Sequence, residues 1–176
     1  MSKDCIQSIM SRRSIRRYTD GTISENDIEM ILRAGFSAPS AGNMQPWRVV
    51  VVRKESSRNR LAEAALRQTF VARAPVVLVV CAVPRESALR YGERGMSLYV
   101  LQDTAALVEN LLLAAHFLGY GACWVGAFNE DLARGAVGVP DDMRPVAIIP
   151  IGISAEPTSR TRPRRPLSEV VVSESF

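Results

Sequence analysis

The most informative stretch of the chain reads Ala38-Pro39-Ser40-Ala41-Gly42-Asn43-Met44-Gln45-Pro46-Trp47, and it leads directly into the apolar run Trp47–Val52. We call residues 38–46 the polar loop. Its prolines restrict the backbone and Gly42 permits a positive φ, so a shaped loop is predicted before a strand. Its hydroxyl and amide side chains both donate and accept hydrogen bonds, which suits a planar heterocycle. The same composition is also typical of an ordinary turn.

A basic segment lies upstream and reads Arg12-Arg13-Ser14-Ile15-Arg16-Arg17-Tyr18. Guanidinium groups bind phosphate oxygens in bidentate pairs, and each charge-assisted hydrogen bond contributes about 1.5–3 kcal/mol. The basic segment therefore predicts a phosphate site. The alternative is a solvated basic surface that would attract any polyanion.

The two segments belong to a set of blocks whose order resembles the FMN-dependent nitroreductase family along nearly the whole chain. The blocks are Arg12–Arg16, Ser37–Trp47, a third that runs from Tyr91–Gly95 through Gln102-Asp103 to Leu118–Phe128, and Pro150–Gly152 followed by Arg162–Leu167. The order of the blocks carries the resemblance more than any one block does. It implies an α+β fold, with a central mixed or antiparallel sheet flanked by helices, in a single domain over residues 1–176.

Composition agrees with this interpretation. A chain of 176 residues buries enough surface to fold without disulfides or metals, and its net charge of +4 suits an anionic cofactor. The aromatic content is 6%, and the basic runs lack the interleaved aromatics that stack on nucleic-acid bases. Cys5, Cys81 and Cys123 lie far apart, which predicts reduced thiols in a cytoplasmic protein and no metal site. No secretory signal is recognised in Met1–Met10, and polar residues within Leu98–Tyr120 favour a buried helix over a membrane span.

Turn and cap signals divide the chain into helices and strands. Ser24 is expected to cap a helix with its hydroxyl, with Asp27 completing the cap three residues later. Pro75–Val83 is too continuously apolar to leave one face in water. The predicted helices are Asp4–Ser11, Ser24–Gly35, Ser56–Thr69, Leu98–Leu118 and Asn129–Arg134, and the predicted strands are Trp47–Val52, Pro75–Val83, Cys123–Phe128 and Val146–Ile153.

The resemblance implies an FMN site. Its phosphate is expected against Arg12, Arg13, Ser14 and Arg16, with Arg162 and Arg164 approaching from the tail. The ring system is expected to be lined from the opposite subunit by Pro39, Ser40, Ala41, Asn43 and Gln45. Gln68 is a candidate for the pyrimidine edge, and backbone groups of Trp124, Val125, Gly126 and Ala127 are expected at the reactive edge. A positive charge near the pyrimidine stabilises reduced flavin, and Arg16 is the candidate for that role.

The tail, residues 154–176, is polar, basic and rich in proline before it becomes apolar at Val170–Val172. Taken alone, such a segment is also typical of a disordered arm. The resemblance implies instead an ordered tail that wraps the partner subunit and adds an edge strand to its sheet. An intertwined homodimer is therefore expected.

FMN carries the redox chemistry in such a protein, so no catalytic side chain is demanded and none is predicted. The resemblance implies reduction by NADH or NADPH, followed by transfer to small flat electrophiles such as nitroaromatics and quinones in a ping-pong sequence. The short segment Val83–Leu98 predicts open access and broad acceptance. His116 is interpreted as a core or interface residue, and Tyr91, Glu93 and Arg94 as helix lead-in and salt-bridge residues.

Three other functions remain open at this point. The chain could be a flavin-binding protein without turnover. It could be a flavin-fragmenting or dehalogenating enzyme of the same fold, for which extra substrate-gripping segments would be expected. The basic residues could instead bind nucleic acid or an acidic partner. Neither the physiological acceptor nor the preference between NADH and NADPH follows from the sequence.

Overall fold

A computed structural model describes residues 5–156 and 163–175 of the chain. The helices are α1 Cys5–Ser11, α2 Glu25–Phe36, α3 Glu55–Ala64, α4 Phe70–Arg73, α5 Pro84–Arg94, α6 Val100–Phe117 and α7 Glu130–Val137. The strands are β1 Trp47–Val52, β2 Val76–Ala82, β3 Gly121–Ala122 and β4 Arg144–Gly152. Short 3-10 turns occupy Ala41–Asn43 and Leu167–Glu169, and a π-helical turn, Gly95–Tyr99, connects α5 to α6.

The strands form an antiparallel sheet in the order β1-β2-β4-β3. β2 is buried along its whole length, which confirms the prediction that this segment has no face in water. Successive residues of a strand point to opposite faces, so Leu78 and Val80 pack with α2 and α6, whereas Val77 and Val79 pack with α3, α4 and α7. The predicted α+β fold, with a sheet flanked by helices, is confirmed.

α6 is the central helix of one flanking layer. Its Leu107, Val108 and Leu111 are fully buried, and α2 approaches so closely that a Cβ on Gly35 would lie 2.5 Å from Leu111 Cδ2. Within the described residues, the helical stretch Pro84–Phe117 is long and apolar enough to cross a membrane by length and composition. The burial of α6 in the core supports its interpretation as a core helix.

Two sequence predictions fail where tertiary contacts redirect the backbone. The predicted helix Ser56–Thr69 is interrupted after α3, because Leu66 and Arg67 adopt positive φ angles of 57° and 61°. The predicted strand Cys123–Phe128 is wrong, since the regular pairing covers only β3 and Val125 forms an isolated bridge with Ile148. The chain then leaves the sheet edge, because the Asn129 N–H donates to the carbonyl of Ala64 at the end of α3.

The start of α2 follows the sequence in one respect and departs from it in another. The Ser24 hydroxyl accepts a hydrogen bond from the Asp27 N–H at 3.0 Å, which confirms the predicted cap. The Asp27 carboxylate instead accepts the Tyr120 hydroxyl at 2.6 Å. This bond lowers the pKa of Asp27, and a side-chain hydrogen bond from the Ser24 hydroxyl to the same carboxylate lowers it further. The side chain therefore connects α2 to the chain just after α6.

Cys81 lies in β2 and Cys123 follows β3, and both thiols are buried and unpaired. Burial raises the pKa of Cys81 to about 11 and also raises that of Cys123. Both groups are therefore neutral thiols near pH 7. In the described tail, residues 163–175, Val170–Val172 are exposed and follow a 3-10 turn.

Candidate functional site

The basic segment runs beside β3, where the sheet edge holds its main chain. The Ile15 N–H donates to the carbonyl of Ala122 at 2.9 Å, and the Ile15 side chain is buried. Gly121 allows this approach, because a Cβ there would lie 2.7 Å from Ile15 Cγ2. The residues on either side of Ile15 are thereby fixed at one end of the sheet.

Arg12, Ser14 and Arg16 share a neighbourhood around the buried thiol of Cys123. Burial raises the pKa of this thiol, and the Arg16 cation, a hydrogen bond from Ser14 and the Arg12 cation all act against that rise. The Arg16 guanidinium also lies over the ring of Phe70, 5.9 Å from its centroid. Arg12, Ser14 and Arg16 are three of the six residues that the sequence assigned to a phosphate.

Carboxylates pair with the side chains of Arg12 and Arg13 in the basic segment. Arg12 Nε lies 3.2 Å from Glu109 Oε1, and the Arg13 guanidinium lies 3.8 Å from Glu156. Glu156 also accepts the N–H groups of Arg16 and Arg17 at 2.6 and 3.0 Å. Burial opposes ionisation of Glu156, but these N–H groups and the arginine cations outweigh it and lower its pKa. The Arg16 side chain has no carboxylate partner among the described residues.

Gln68 and the segment after Cys123 lie in contact with each other. Gln68 Nε2 donates to the carbonyl of Ala65 at 2.8 Å and to that of Ala127 at 3.2 Å. Val125 is buried, and its N–H and carbonyl both pair with Ile148. Trp124, Gly126 and Ala127 are exposed. The exposed backbone at residues 126–127 is therefore better placed for a ligand than that of Val125.

The polar loop is a strained turn. Gly42, Asn43 and Gln45 have φ angles of 55°, 56° and 49°, and a positive φ at a residue other than glycine costs about 1–3 kcal/mol. Pro39, Asn43 and Gln45 are exposed. The Ser40 hydroxyl accepts the Gln45 N–H at 3.0 Å, so its own proton is available to a ligand. A loop that keeps such strain must be held by its surroundings.

Asp103 of α6 supplies that support and was not recognised in the sequence as a site residue. Its Oδ1 accepts the Ala41 N–H at 3.0 Å. The side chain is buried, and Oδ2 has no hydrogen-bond partner among the described residues. Burial raises the pKa of Asp103, and the bond from Ala41 opposes this rise. A carboxylate in a largely apolar helix was the available signal.

Within the described residues, no hydrogen bond or ion pair joins the polar loop to the group formed by Arg12, Ser14, Arg16 and Gln68. The loop instead contacts α5 and α6. Its assignment to a ring bound by the opposite subunit remains a prediction. Arg164 is exposed, and Arg162 lies outside the described residues, so their assignment to the phosphate also remains a prediction.

A cavity of about 190 Å³ lies behind the basic segment, between α1 and the end of α6. Arg12, Arg13 and Tyr120 line it, together with His116. His116 Nε2 lies 3.0 Å from the Ser11 hydroxyl. His116 thus connects α6 to the end of α1, on the cavity wall.

Comparison with known proteins agrees with this fold. The sequence profile of the nitroreductase family matches residues 9–70 and 65–153. A relative from Archaeoglobus fulgidus, provisionally named NADH dehydrogenase/NAD(P)H nitroreductase, is 38% identical over 154 residues, which cover 85% of each protein.

Two solved structures extend the comparison. The NADPH:FMN oxidoreductase from Vibrio harveyi, complexed with NAD+, has a TM-score of 0.89 at 25% identity over 99% of this chain and 78% of that one. A nitroreductase family protein from Clostridium novyi NT has a TM-score of 0.80 at 30% identity over 88% and 87% of the two chains. The chain therefore belongs to the nitroreductase family and is an oxidoreductase.

Proposed function

We propose that the protein is an FMN-dependent reductase that takes electrons from NADH or NADPH and passes them to small flat electrophiles, such as nitroaromatics and quinones, in a ping-pong sequence. One observation carries this proposal: the sheet edge holds the basic segment at Ser14 and Ile15, so that Arg12, Ser14 and Arg16 all act on the Cys123 thiol. The name of the Vibrio harveyi relative, an NADPH:FMN oxidoreductase crystallised with NAD+, supports the choice of cofactor and donor.

The donor set fits the phosphate of FMN. The guanidinium of Arg16 lacks a carboxylate partner in the described part of the chain, and the Ser14 hydroxyl and the Arg16 cation both act on the Cys123 thiol. Arg12 is partly buried and oriented by Glu109. A phosphate bound there would gain charge-assisted hydrogen bonds without first reorganising flexible side chains. When bound, FMN would supply the two-electron redox chemistry of the reaction.

The remaining residues would bind and orient the ring. Gln68 and the exposed backbone of residues 126–127 offer amide groups at one edge. The Arg16 charge would favour electron density at the nearby end of the ring. The polar loop would supply Ser40, Ala41 and Asn43 from the partner subunit. No acid or base side chain is needed, because FMN would carry the redox chemistry. The donor and the acceptor would use the same face of the ring in turn.

We also propose an intertwined homodimer, in which residues 1–176 form one domain and the tail wraps the partner. Its support is apolar surface: Ile6 and Met10 of α1 are 62% and 71% exposed, and Phe117 at the end of α6 is also exposed. A cluster of exposed apolar side chains is typical of an interface. We place this dimer in the cytoplasm, without a nucleic-acid or membrane partner.

An anaerobic absorbance titration tests the function. The flavin band of the purified protein should bleach on addition of NADH or NADPH and recover on addition of menadione. A yellow protein that neither dinucleotide bleaches would contradict the reductase and favour a flavin-binding protein without turnover. Sedimentation of the same sample tests the dimer, and a monomer with FMN fully bound would contradict the shared site.

A further inference from the structure

The segment between β2 and α6 folds into a compact helical hairpin. Gly92 has a φ of 56° and interrupts α5. Gly95 packs directly against α5, since a Cβ there would overlap the carbonyl oxygen of Ser87. This packing fixes Tyr91 and Tyr99 edge to face, with ring centroids 5.1 Å apart and planes at 80°. The two glycines of the block Tyr91–Gly95 therefore build an aromatic surface.

Two arginines cover this surface. Arg90 Cζ lies 5.6 Å from the centroid of Tyr91, and Arg94 Cζ lies 5.3 Å from that of Tyr99. Arg94 Nε also donates to the Tyr99 hydroxyl at 3.0 Å. These distances are within the range of cation–π contacts. We call these four residues the Arg–Tyr cluster.

The cations of the cluster are not neutralised. Both arginines are exposed, and neither has a carboxylate partner among the described residues. Arg85 on the same helix differs, because its guanidinium lies 3.9 Å from Asp142. The exposed carboxylate of Glu93 also has no ion-pair partner in the described ranges, so the sequence-based interpretation of Glu93 and Arg94 as salt-bridge residues finds no support. Three charged groups of this turn leave a net charge of +1 toward solvent.

The cluster borders the polar loop. A Cβ added to Gly42 would lie 2.6 Å from the Tyr91 hydroxyl oxygen and 2.8 Å from Arg90 Nη1. The neighbouring residues Ser40, Ala41 and Asn43 are those proposed to line the flavin ring. In the proposed dimer, a dinucleotide with its nicotinamide against the partner's flavin ring would extend its adenosine end out of the site, past this loop.

We propose that the Arg–Tyr cluster binds the adenosine 2′-phosphate end of NADPH, which makes NADPH the preferred electron donor. Guanidinium forks suit a phosphate, and the outer faces of the guanidinium planes can stack on adenine. NADH has the same adenine but lacks the 2′-phosphate. This inference rests on the proposed function and assigns the donor at that same site.

The test uses the FMN-loaded protein and measures anaerobic flavin reduction by NADPH and by NADH in separate stopped-flow experiments. Wild type should show the higher second-order rate constant with NADPH. Arg94→Ala and Arg90→Ala should each lower the NADPH constant about tenfold or more and leave the NADH constant nearly unchanged. Arg94→Lys should recover part of the loss, because it keeps the charge without the fork. Arg85→Ala is the matched control and should match wild type.

A binding measurement supplies a second readout. Calorimetry with adenosine 2′,5′-bisphosphate should show binding to wild type and to Arg85→Ala, and weaker binding to Arg94→Ala. Adenosine 5′-monophosphate should bind weakly to all three proteins. These results would hold whether or not an acceptor is present.

Results that overturn the assignment of the Arg–Tyr cluster can be distinguished from results that contradict the proposed function. Equal reduction by NADPH and NADH in wild type, or an equal loss with both donors in the variants, would overturn the assignment and leave the reductase intact. Unchanged flavin reduction, together with slower reoxidation by a carboxylated nitroaromatic, would overturn it in favour of an anionic acceptor. A flavin that neither donor reduces would instead contradict the proposed function.

Discussion

Replacing Asp103 separates two effects of one buried carboxylate. Its Oδ1 holds the Ala41 N–H, and hydrogen bonds to charged groups are worth about 1.5–3 kcal/mol. Its Oδ2 is buried without a partner in the described residues, which costs about 1–3 kcal/mol. In Asp103→Ala these two terms nearly cancel, so the free energy of unfolding at neutral pH should stay within about 1 kcal/mol of wild type.

FMN binding should respond differently to the same change, because the polar loop is proposed to line the flavin ring. Without its anchor, the strained polar loop would leave the binding conformation for most of the time. If about one molecule in ten keeps that conformation, the apparent Kd rises about tenfold. Asp103→Asn keeps an oxygen acceptor for Ala41 and should bind FMN nearly as wild type does.

The pH dependence of stability in Asp103→Asn tests the direction of the pKa shift of Asp103. Burial raises the pKa of Asp103 above its usual 3.8 in the folded protein. The stability contributed by this group is complete below a pH of 3.8, its usual pKa, and is lost as the pH rises through the pKa of the folded protein. Asp103→Asn should therefore gain stability relative to wild type between acidic and neutral pH.

The assays are a flavin fluorescence titration for Kd and urea unfolding at several pH values for stability. Wild-type FMN affinity in Asp103→Ala would refute the anchoring role. So would an equal loss of affinity in the Ala and Asn variants, since the Asn variant keeps the hydrogen bond. A stability difference that does not change with pH would contradict the buried ionisation.

Gly35→Ala should destabilise the fold by about 1–3 kcal/mol in urea unfolding, because its Cβ would lie 2.5 Å from Leu111 Cδ2. Gly135→Ala, in an open position on α7, should stabilise the fold by about 0.4–1 kcal/mol. Stability changes of the same sign in the two variants would contradict the close packing at Gly35. Arg16→Ala should raise the Kd for FMN about tenfold or more in the same fluorescence titration. Arg33→Ala removes an exposed arginine paired with Glu29 and should bind FMN as wild type does, and equal affinity in both variants would exclude Arg16 from the site.

Local signals in the sequence predicted most of the fold. Trp47–Val52 is a strand over the predicted bounds, and the Ser24 cap forms as expected, because both depend on neighbouring residues. Leu66 and Arg67 could not be predicted, since a positive φ at such residues is set by how α3 and α4 pack. α5 is not among the predicted helices although Pro84 at its start favours a helix, and Gly92 interrupts its helical backbone.

The residues of the candidate site also divide into those that the local sequence predicts and those that depend on tertiary contacts. Arg12, Ser14 and Arg16 are close in sequence and could be assigned together by their block. Asp103 lies 62 residues from its partner Ala41, so the contact depends on the tertiary fold. The roles of Tyr91 and Arg94 likewise depend on Tyr99 and on the loop at Gly42. Contacts between distant segments carry no local signal.

The alkylation rates of the two buried thiols, Cys81 and Cys123, can report on internal motion. An alkylating reagent reacts with a thiolate in water, so Cys81 in the middle of the sheet should react only when the whole fold opens. Cys123 follows Ala122, which pairs with the basic segment at Ser14 and Ile15, so a much smaller excursion of that segment would admit the reagent. The ratio of the two labelling rates, read by peptide mass spectrometry, therefore separates local opening of the basic segment from global unfolding. Saturating FMN should slow the labelling of Cys123 more than global stabilisation alone predicts.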